Sequence, residues 1–157
     1  VPVVRRVHLA VVDDHVQLDE TFPGFVTYCG DQGIRLEIVS EGLGFYLHFL
    51  LDKWGIDVPV RTNRTTFEDG RVMISYPYAD ATCNLCGTCK LLRLFELRTQ
   101  GYAIAYVGDG HSDLCPAVEA DLVFAKKELA DLCREEAIDF IPFDTFSDVR
   151  RRLDTWR

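Results

Sequence analysis

The stretch Tyr102-Ala-Ile-Ala-Tyr-Val-Gly-Asp-Gly-His-Ser-Asp113 decides how the rest of the chain is read. Its apolar opening predicts a buried parallel strand, because side chains that avoid water occupy both faces. Gly108 and Gly110 then allow a sharp turn at the strand's carboxyl end, where open α/β sheets bind ligands. Asp109 projects from that turn and Asp113 from the start of the next helix. Two carboxylates so placed suit a hard cation such as Mg²⁺, which keeps several waters and takes few protein ligands. The same residues equally suit a tight loop ending in an aspartate helix cap.

A second break of this kind lies upstream. Ile34-Arg-Leu-Glu-Ile-Val-Ser40 predicts a strand that stops at Ser40-Glu41-Gly42. The Ser40 hydroxyl and the backbone N–H groups of Glu41 and Gly42 can face an anion at the start of the following helix. A plain helix cap at Ser40 is the alternative. Between the two breaks, Cys83-Asn-Leu-Cys-Gly-Thr-Cys-Lys90 leads into a helix over Leu91–Gln100. Lys90 sits at a helix end that is already positive, a conflict that a nearby anion would remove. Cys83, Cys86 and Cys89 suit either a small apolar turn or three ligands of a zinc site. In the zinc case the fold must bring a fourth ligand, such as Cys115, His111 or Cys29.

The remaining elements alternate. Residues 5–16 predict a short helix, and a second begins at Thr21, with Pro23 in its first turn and Gly33 at its end. A heavily apolar helix covers 43–53. Val58 to Asn63 predicts a strand. Thr65–Phe67 and Val72–Tyr76 flank Glu68-Asp69-Gly70-Arg71, a strong hairpin signal. After Asp113 come a short helix to Ala120, a strand over 121–125, a helix over 126–136, an edge strand at 140–143 and a last helix capped by Thr145. This order predicts a doubly wound α/β fold with a mostly parallel sheet and a β-hairpin flap.

Composition narrows the function classes. The 157 residues are 48% hydrophobic and 27% charged, enough for one core. A net charge of −8 argues against a broad nucleic-acid surface. It leaves room for a phosphorylated small molecule, since a bound Mg²⁺ and one lysine reverse the sign locally. No apolar run is long enough to span a bilayer and no signal peptide is visible, so neither membrane nor nucleic acid is expected as a partner. The scattered cysteines suggest reduced thiols and a cytoplasmic location. The sequence starts at Val1 rather than Met, as a processed or incomplete polypeptide would.

Ser40, Lys90, and Asp109 with Asp113 follow one another at strand ends and helix starts. In that order the chain resembles the haloacid dehalogenase superfamily of phosphatases, whose later motifs are Ser/Thr after a strand, Lys, and Gly-Asp-Gly-x-x-Asp. Ile-Val-Ser-Glu-Gly and Cys-x-x-Cys-Gly-x-Cys-Lys resemble, within the phosphoserine-phosphatase-like branch, the methionine-salvage phosphatases acting on 2-hydroxy-3-keto-5-methylthiopentenyl-1-phosphate. The resemblance covers roughly residues 10–150.

It implies a Mg²⁺-dependent phosphomonoester hydrolase acting on a small phosphorylated metabolite. Ser40, with Glu41 and Gly42, would bind a phosphoryl oxygen. Lys90 would neutralise the phosphate and stabilise the transferring group, Asp109 would hold Mg²⁺, and Asp113 would complete or orient that site. The family's first motif, Asp-x-Asp-x-Thr, supplies the nucleophilic aspartate and a central strand. It is absent here, and Val11-Val-Asp-Asp-His15 has the wrong spacing. The resemblance therefore implies that nucleophile and strand lie outside this sequence, in a missing N-terminal segment or a second chain. Residues 1–20 would be the remnant of a helical cap and 21–157 the core, with the hairpin inserted at about 64–78. This chain alone would then be inactive or nearly so. The alternatives are a non-catalytic phosphate- and Mg²⁺-binding module descended from such an enzyme, and an unrelated α/β binding domain.

Overall fold

The computed structural model describes residues 18–83 and 85–156. The helix expected over 5–16, with Asp13 and Asp14, lies outside the described residues. The chain divides into two compact units, Val1–Thr88 and Cys89–Arg157.

The first unit opens with helix α1 (Phe22–Asp31), with Pro23 in its first turn. Thr21 does not cap through its own hydroxyl. Asp19 instead accepts from the Thr21 N–H and hydroxyl at 2.8 and 2.6 Å. Gly33, at φ 66°, takes the left-handed turn that leads out of α1. Strand β1 (Ile38–Leu43) follows, then helix α2 (Gly44–Lys53) and strand β2 (Val60–Glu68). β2 is longer than the sequence pattern predicts. It merges the expected strand 58–63 with the first hairpin strand, running parallel to β1 and then antiparallel to β3 (Arg71–Ser75). Asp69 and Gly70, at φ 47° and 73°, form the two-residue turn between them, a geometry whose twist matches paired strands. Among the described residues of this unit, Phe22, Phe25, Tyr28, Cys29, Leu50, Leu51 and Ile56 are the buried apolar side chains.

The second unit contains helix α3 (Lys90–Thr99), strand β4 (Ala105–Gly108), a 3₁₀ turn (His111–Asp113) and helix α4 (Leu114–Glu119). Strand β5 (Leu122–Ala125), helix α5 (Lys127–Glu135), strand β6 (Ile141–Pro142) and helix α6 (Phe146–Leu153) complete it. β4, β5 and β6 pair in parallel in that order. Their core is Val123 and Ala125 of β5 packed on Leu129, Ala130 and Cys133 of α5 and on Ala117 of α4. Those apolar positions of α5 lie on one face of the helix, so a mostly charged helix still buries a stripe. The α/β class and the parallel pairing follow the expectation, and the strands form two three-stranded sheets.

Candidate functional site

The expected site residues form two clusters, one in each unit. In the first unit, Ser40, Glu41 and Gly42 lie inside β1 rather than after it. The pairing with β2 runs Ser40 to Thr62 and then Leu43 to Asn63, so Glu41 and Gly42 bulge out of the ladder. The Ser40 Oγ accepts the Gly42 N–H at 3.0 Å. A backbone donor expected to face an anion is thus bonded to serine, while the serine hydroxyl proton stays available for donation. Gly42 is crowded by a neighbour rather than set by its backbone angles: a Cβ there would lie 2.0 Å from the Tyr46 hydroxyl, so the tyrosine would have to move to admit a larger residue.

The bulge is fixed from outside by Thr62 and Asn63, both buried. Thr62 donates its hydroxyl to the Gly42 carbonyl at 2.6 Å, and the Asn63 amide donates to the Glu41 carbonyl at 2.6 Å. The Asn63 side-chain oxygen accepts from the buried Thr88 hydroxyl at 3.0 Å. Glu41 Oε1 accepts the Gly87 N–H at 3.2 Å. Gly87 lies so close to Asn63 and Tyr76 that a Cβ would meet both at 2.7 Å. Asn63 is therefore the hub of this cluster, a role that its place at the end of an expected strand does not announce.

In the second unit, Lys90, Ser112 and Asp113 meet. The Lys90 Nζ donates to Asp113 Oδ1 at 2.5 Å and to Ser112 Oγ at 2.8 Å. Both charged side chains are about nine-tenths buried, with relative exposures of 11% and 9%. The anion that resolves Lys90's placement at a helix start is thus Asp113 itself. Asp113 Oδ1 also accepts the Tyr106 hydroxyl at 2.7 Å, and Oδ2 accepts the N–H groups of Asp109 and Gly110 at 3.0 Å each. Burial acts to raise the Asp113 pKa, but these donors, led by the Lys90 ammonium, outweigh it and hold the carboxyl below its ordinary value. Gly108 is required because a Cβ there would meet the Asp113 carboxyl carbon at 2.7 Å. Neither Gly108 nor Gly110 has a positive φ, so close approach, not an unusual backbone angle, explains Gly108. Tyr106, two residues before Gly108 on the same strand, carried no signal beyond its polar tip.

Asp109 is placed differently. Its side chain is half-exposed, and its Oδ2 accepts from the Lys127 ammonium at 2.7 Å. The fit to Mg²⁺ follows from these donor sets. Asp113, with four donors on its two oxygens, orients the loop, whereas Asp109 presents an accessible carboxylate of the kind Mg²⁺ takes alongside water and phosphate oxygens. Among the described residues no group of three or more His, Cys, Asp or Glu side chains gathers into a metal cage. Cys89 has a local task, accepting the Leu92 N–H at 3.4 Å as the cap of α3, while Cys83 is exposed.

Residues 9–137 match the model of the family described as Putative Phosphatase. The chain belongs to that family. Relatives of this phosphatase-family chain include the 2-hydroxy-3-keto-5-methylthiopentenyl-1-phosphate phosphatase of Exiguobacterium sibiricum, 34% identical over 138 residues, which span 85% of this chain and 63% of the relative. The Brevibacillus brevis protein of the same name is 38% identical over 137 residues, 84% of this chain and 61% of the relative. The chain thus spans somewhat under two thirds of the length of these relatives. A probable phosphoserine phosphatase from Vibrio cholerae superposes with a TM-score of 0.65 over 89% of this chain and 43% of that one, at 21% identity. An apo phosphoserine phosphatase gives 0.64 over 96% and 72%, at 20% identity. At such identities the likeness establishes the fold, which is the haloacid-dehalogenase-like fold that the motifs imply.

Proposed function

We propose that this phosphatase-family chain carries the phosphate-neutralising and metal-holding groups of a Mg²⁺-dependent phosphomonoester hydrolase. Its substrate is a small phosphorylated metabolite, and 2-hydroxy-3-keto-5-methylthiopentenyl-1-phosphate is the first candidate because the relatives bear that name. The observation that carries the proposal is the buried Lys90. An ammonium has three protons, and Asp113 and Ser112 take two of them, which leaves one for a phosphoryl oxygen. A lysine fixed in this way donates to a phosphoryl oxygen without reorganising during the reaction.

The other roles follow from the chemistry of each residue. Ser40 donates its hydroxyl proton to a phosphoryl oxygen. Asp113 holds Lys90 and the Asp109 loop in position. Asp109, aided by that loop, is the carboxylate that would hold Mg²⁺, and the ion when bound supplies charge stabilisation to the phosphoryl group. The sequence contains no Asp-x-Asp-x-Thr, so the nucleophilic carboxylate belongs to polypeptide outside these 157 residues.

The test is phosphate release from that metabolite, from phosphoserine and from an aryl phosphate, by the isolated chain and by a longer chain carrying an Asp-x-Asp-x-Thr strand. The longer chain is expected to turn over and to lose activity on the order of a hundredfold or more in Lys90→Ala. The isolated chain is expected to be nearly inactive. If it turns over well and Asp13→Asn or Asp14→Asn abolishes this, the nucleophile lies within the sequence after all. If the longer chain binds phosphate and Mg²⁺ but never turns over, the non-catalytic module is the correct reading.

A further inference from the structure

We propose that Lys127 is an internal counter-cation that opposes the loading of a divalent metal at Asp109. The inference rests on the reading of Asp109 as the metal-holding carboxylate. Two observations at the same residue carry it. The Lys127 ammonium lies 2.7 Å from Asp109 Oδ2. Lys127 is also the first residue of α5 and has φ 49°, a left-handed conformation that an L side chain other than Asn or Asp rarely adopts.

A lysine is unfavourable at that position on two counts. A helix start is already positive, and the left-handed backbone costs free energy that glycine would avoid. An exposed ion pair is weakly stabilising, and here the two side chains are 70% and 49% exposed. The pair does not hold the loop by itself. The loop is fastened to the start of α5 by Lys126 N–H to the Gly108 carbonyl, Leu129 N–H to the Asp109 carbonyl, both at 3.3 Å, and His111 N–H to Glu128 at 3.1 Å. Removing the Lys127 charge therefore leaves Asp109 in place. What the charge does alter is the potential at the carboxylate. A divalent ion must either displace the ammonium from Oδ2 or bind beside it against like-charge repulsion, and both lower metal affinity.

The experiment is calorimetric titration of the full chain with MgCl₂ in the presence of inorganic phosphate, so that binding and not turnover is read. Lys127→Gln is expected to bind Mg²⁺ roughly 1.5-fold to fivefold more tightly than wild type, the range set by removing one exposed ion pair. Lys127→Arg keeps the charge and is expected to stay near wild type. Lys127→Gly removes charge and backbone strain together, so it should match the glutamine variant in Mg²⁺ affinity and unfold at a higher denaturant concentration. Equal or weaker binding in Lys127→Gln overturns the proposal and makes Lys127 a support of the site. Asp109→Asn in the same titration separates this from the underlying reading: Mg²⁺ binding that survives it refutes Asp109 as the metal carboxylate, whatever the Lys127 variants do.

Discussion

Two polar segments, a bulge within β1 and the loop after β4, are held in opposite ways. The Ser40–Leu43 bulge is closed by neutral groups: a serine hydroxyl on its own backbone, and Thr62 and Asn63 reaching across from the neighbouring strand. The Gly108–Asp113 loop is closed by charge, with one buried carboxylate gathering two backbone N–H groups, a tyrosine hydroxyl and a lysine. In sequence the two look alike, an apolar strand followed by a small polar residue and glycine. A neutral closure loses a hydrogen bond when one member is deleted. A charged closure loses its counter-ion and leaves a buried charge stranded.

That difference ranks the expected effects. Asp113→Asn should be the most damaging of these changes, destabilising by about 3–5 kcal/mol, because it leaves the Lys90 ammonium buried without a counter-ion. Urea unfolding reads it, and a loss under 1 kcal/mol would mean that solvent reaches the pair. The same carboxyl makes stability depend on pH. Its folded pKa is depressed, so its contribution is complete above the ordinary carboxylate value of 3.8 and is lost as pH falls through the folded value. Unfolding midpoints between pH 5 and 2 should therefore drop less steeply in Asp113→Asn than in wild type.

On the neutral side the hub is Asn63. Asn63→Ala is expected to cost about 2–3 kcal/mol, since the Thr88 hydroxyl and the Glu41 carbonyl both lose their partner in a buried setting. If it costs more than Asp113→Asn, the contrast between the two segments fails. Tyr106→Phe keeps the ring and removes one of four donors to Asp113, so roughly 1–2 kcal/mol is expected, together with a rise in the Asp113 pKa readable by carboxyl NMR titration. Ser40→Ala should have the smallest effect on stability, about 1 kcal/mol or less, because the Gly42 N–H loses a partner in a part-buried place that water can reach. Its effect on phosphate affinity should be the larger, and equal phosphate binding by Ser40→Ala and wild type would remove Ser40 from the site.

The exposed ion pair of Asp109 with Lys127 and the buried pair of Asp113 with Lys90 sharpen the same contrast within one loop. Four residues apart, one aspartate is committed to structure and the other remains open to a ligand. The motif Gly-Asp-Gly-His-Ser-Asp announces both carboxylates and gives no sign of which is which. Burial decides it, and burial depends on where Lys90, far away in sequence, is delivered by α3.

The sequence by itself determined the local grammar. The spacing of apolar residues predicts α2 to within a residue and the later helices to within a few, and Asp69-Gly70 predicts the hairpin turn, while residue type at expected strand ends and helix starts marks Ser40, Lys90, Asp109 and Asp113 only as candidates. These features depend on neighbours along the chain, through side-chain period, turn geometry and helix ends. Tertiary structure alone decided the partners. It merged two expected strands into β2, assigned the Gly42 N–H to Ser40 and gave Lys90 its counter-ion. It also made Asn63 a hub and set Lys127 on Asp109. Each of those contacts pairs a polar group with one brought near by folding. Burial raises the penalty for leaving such groups unpaired, and which groups become buried is a property of the packed chain.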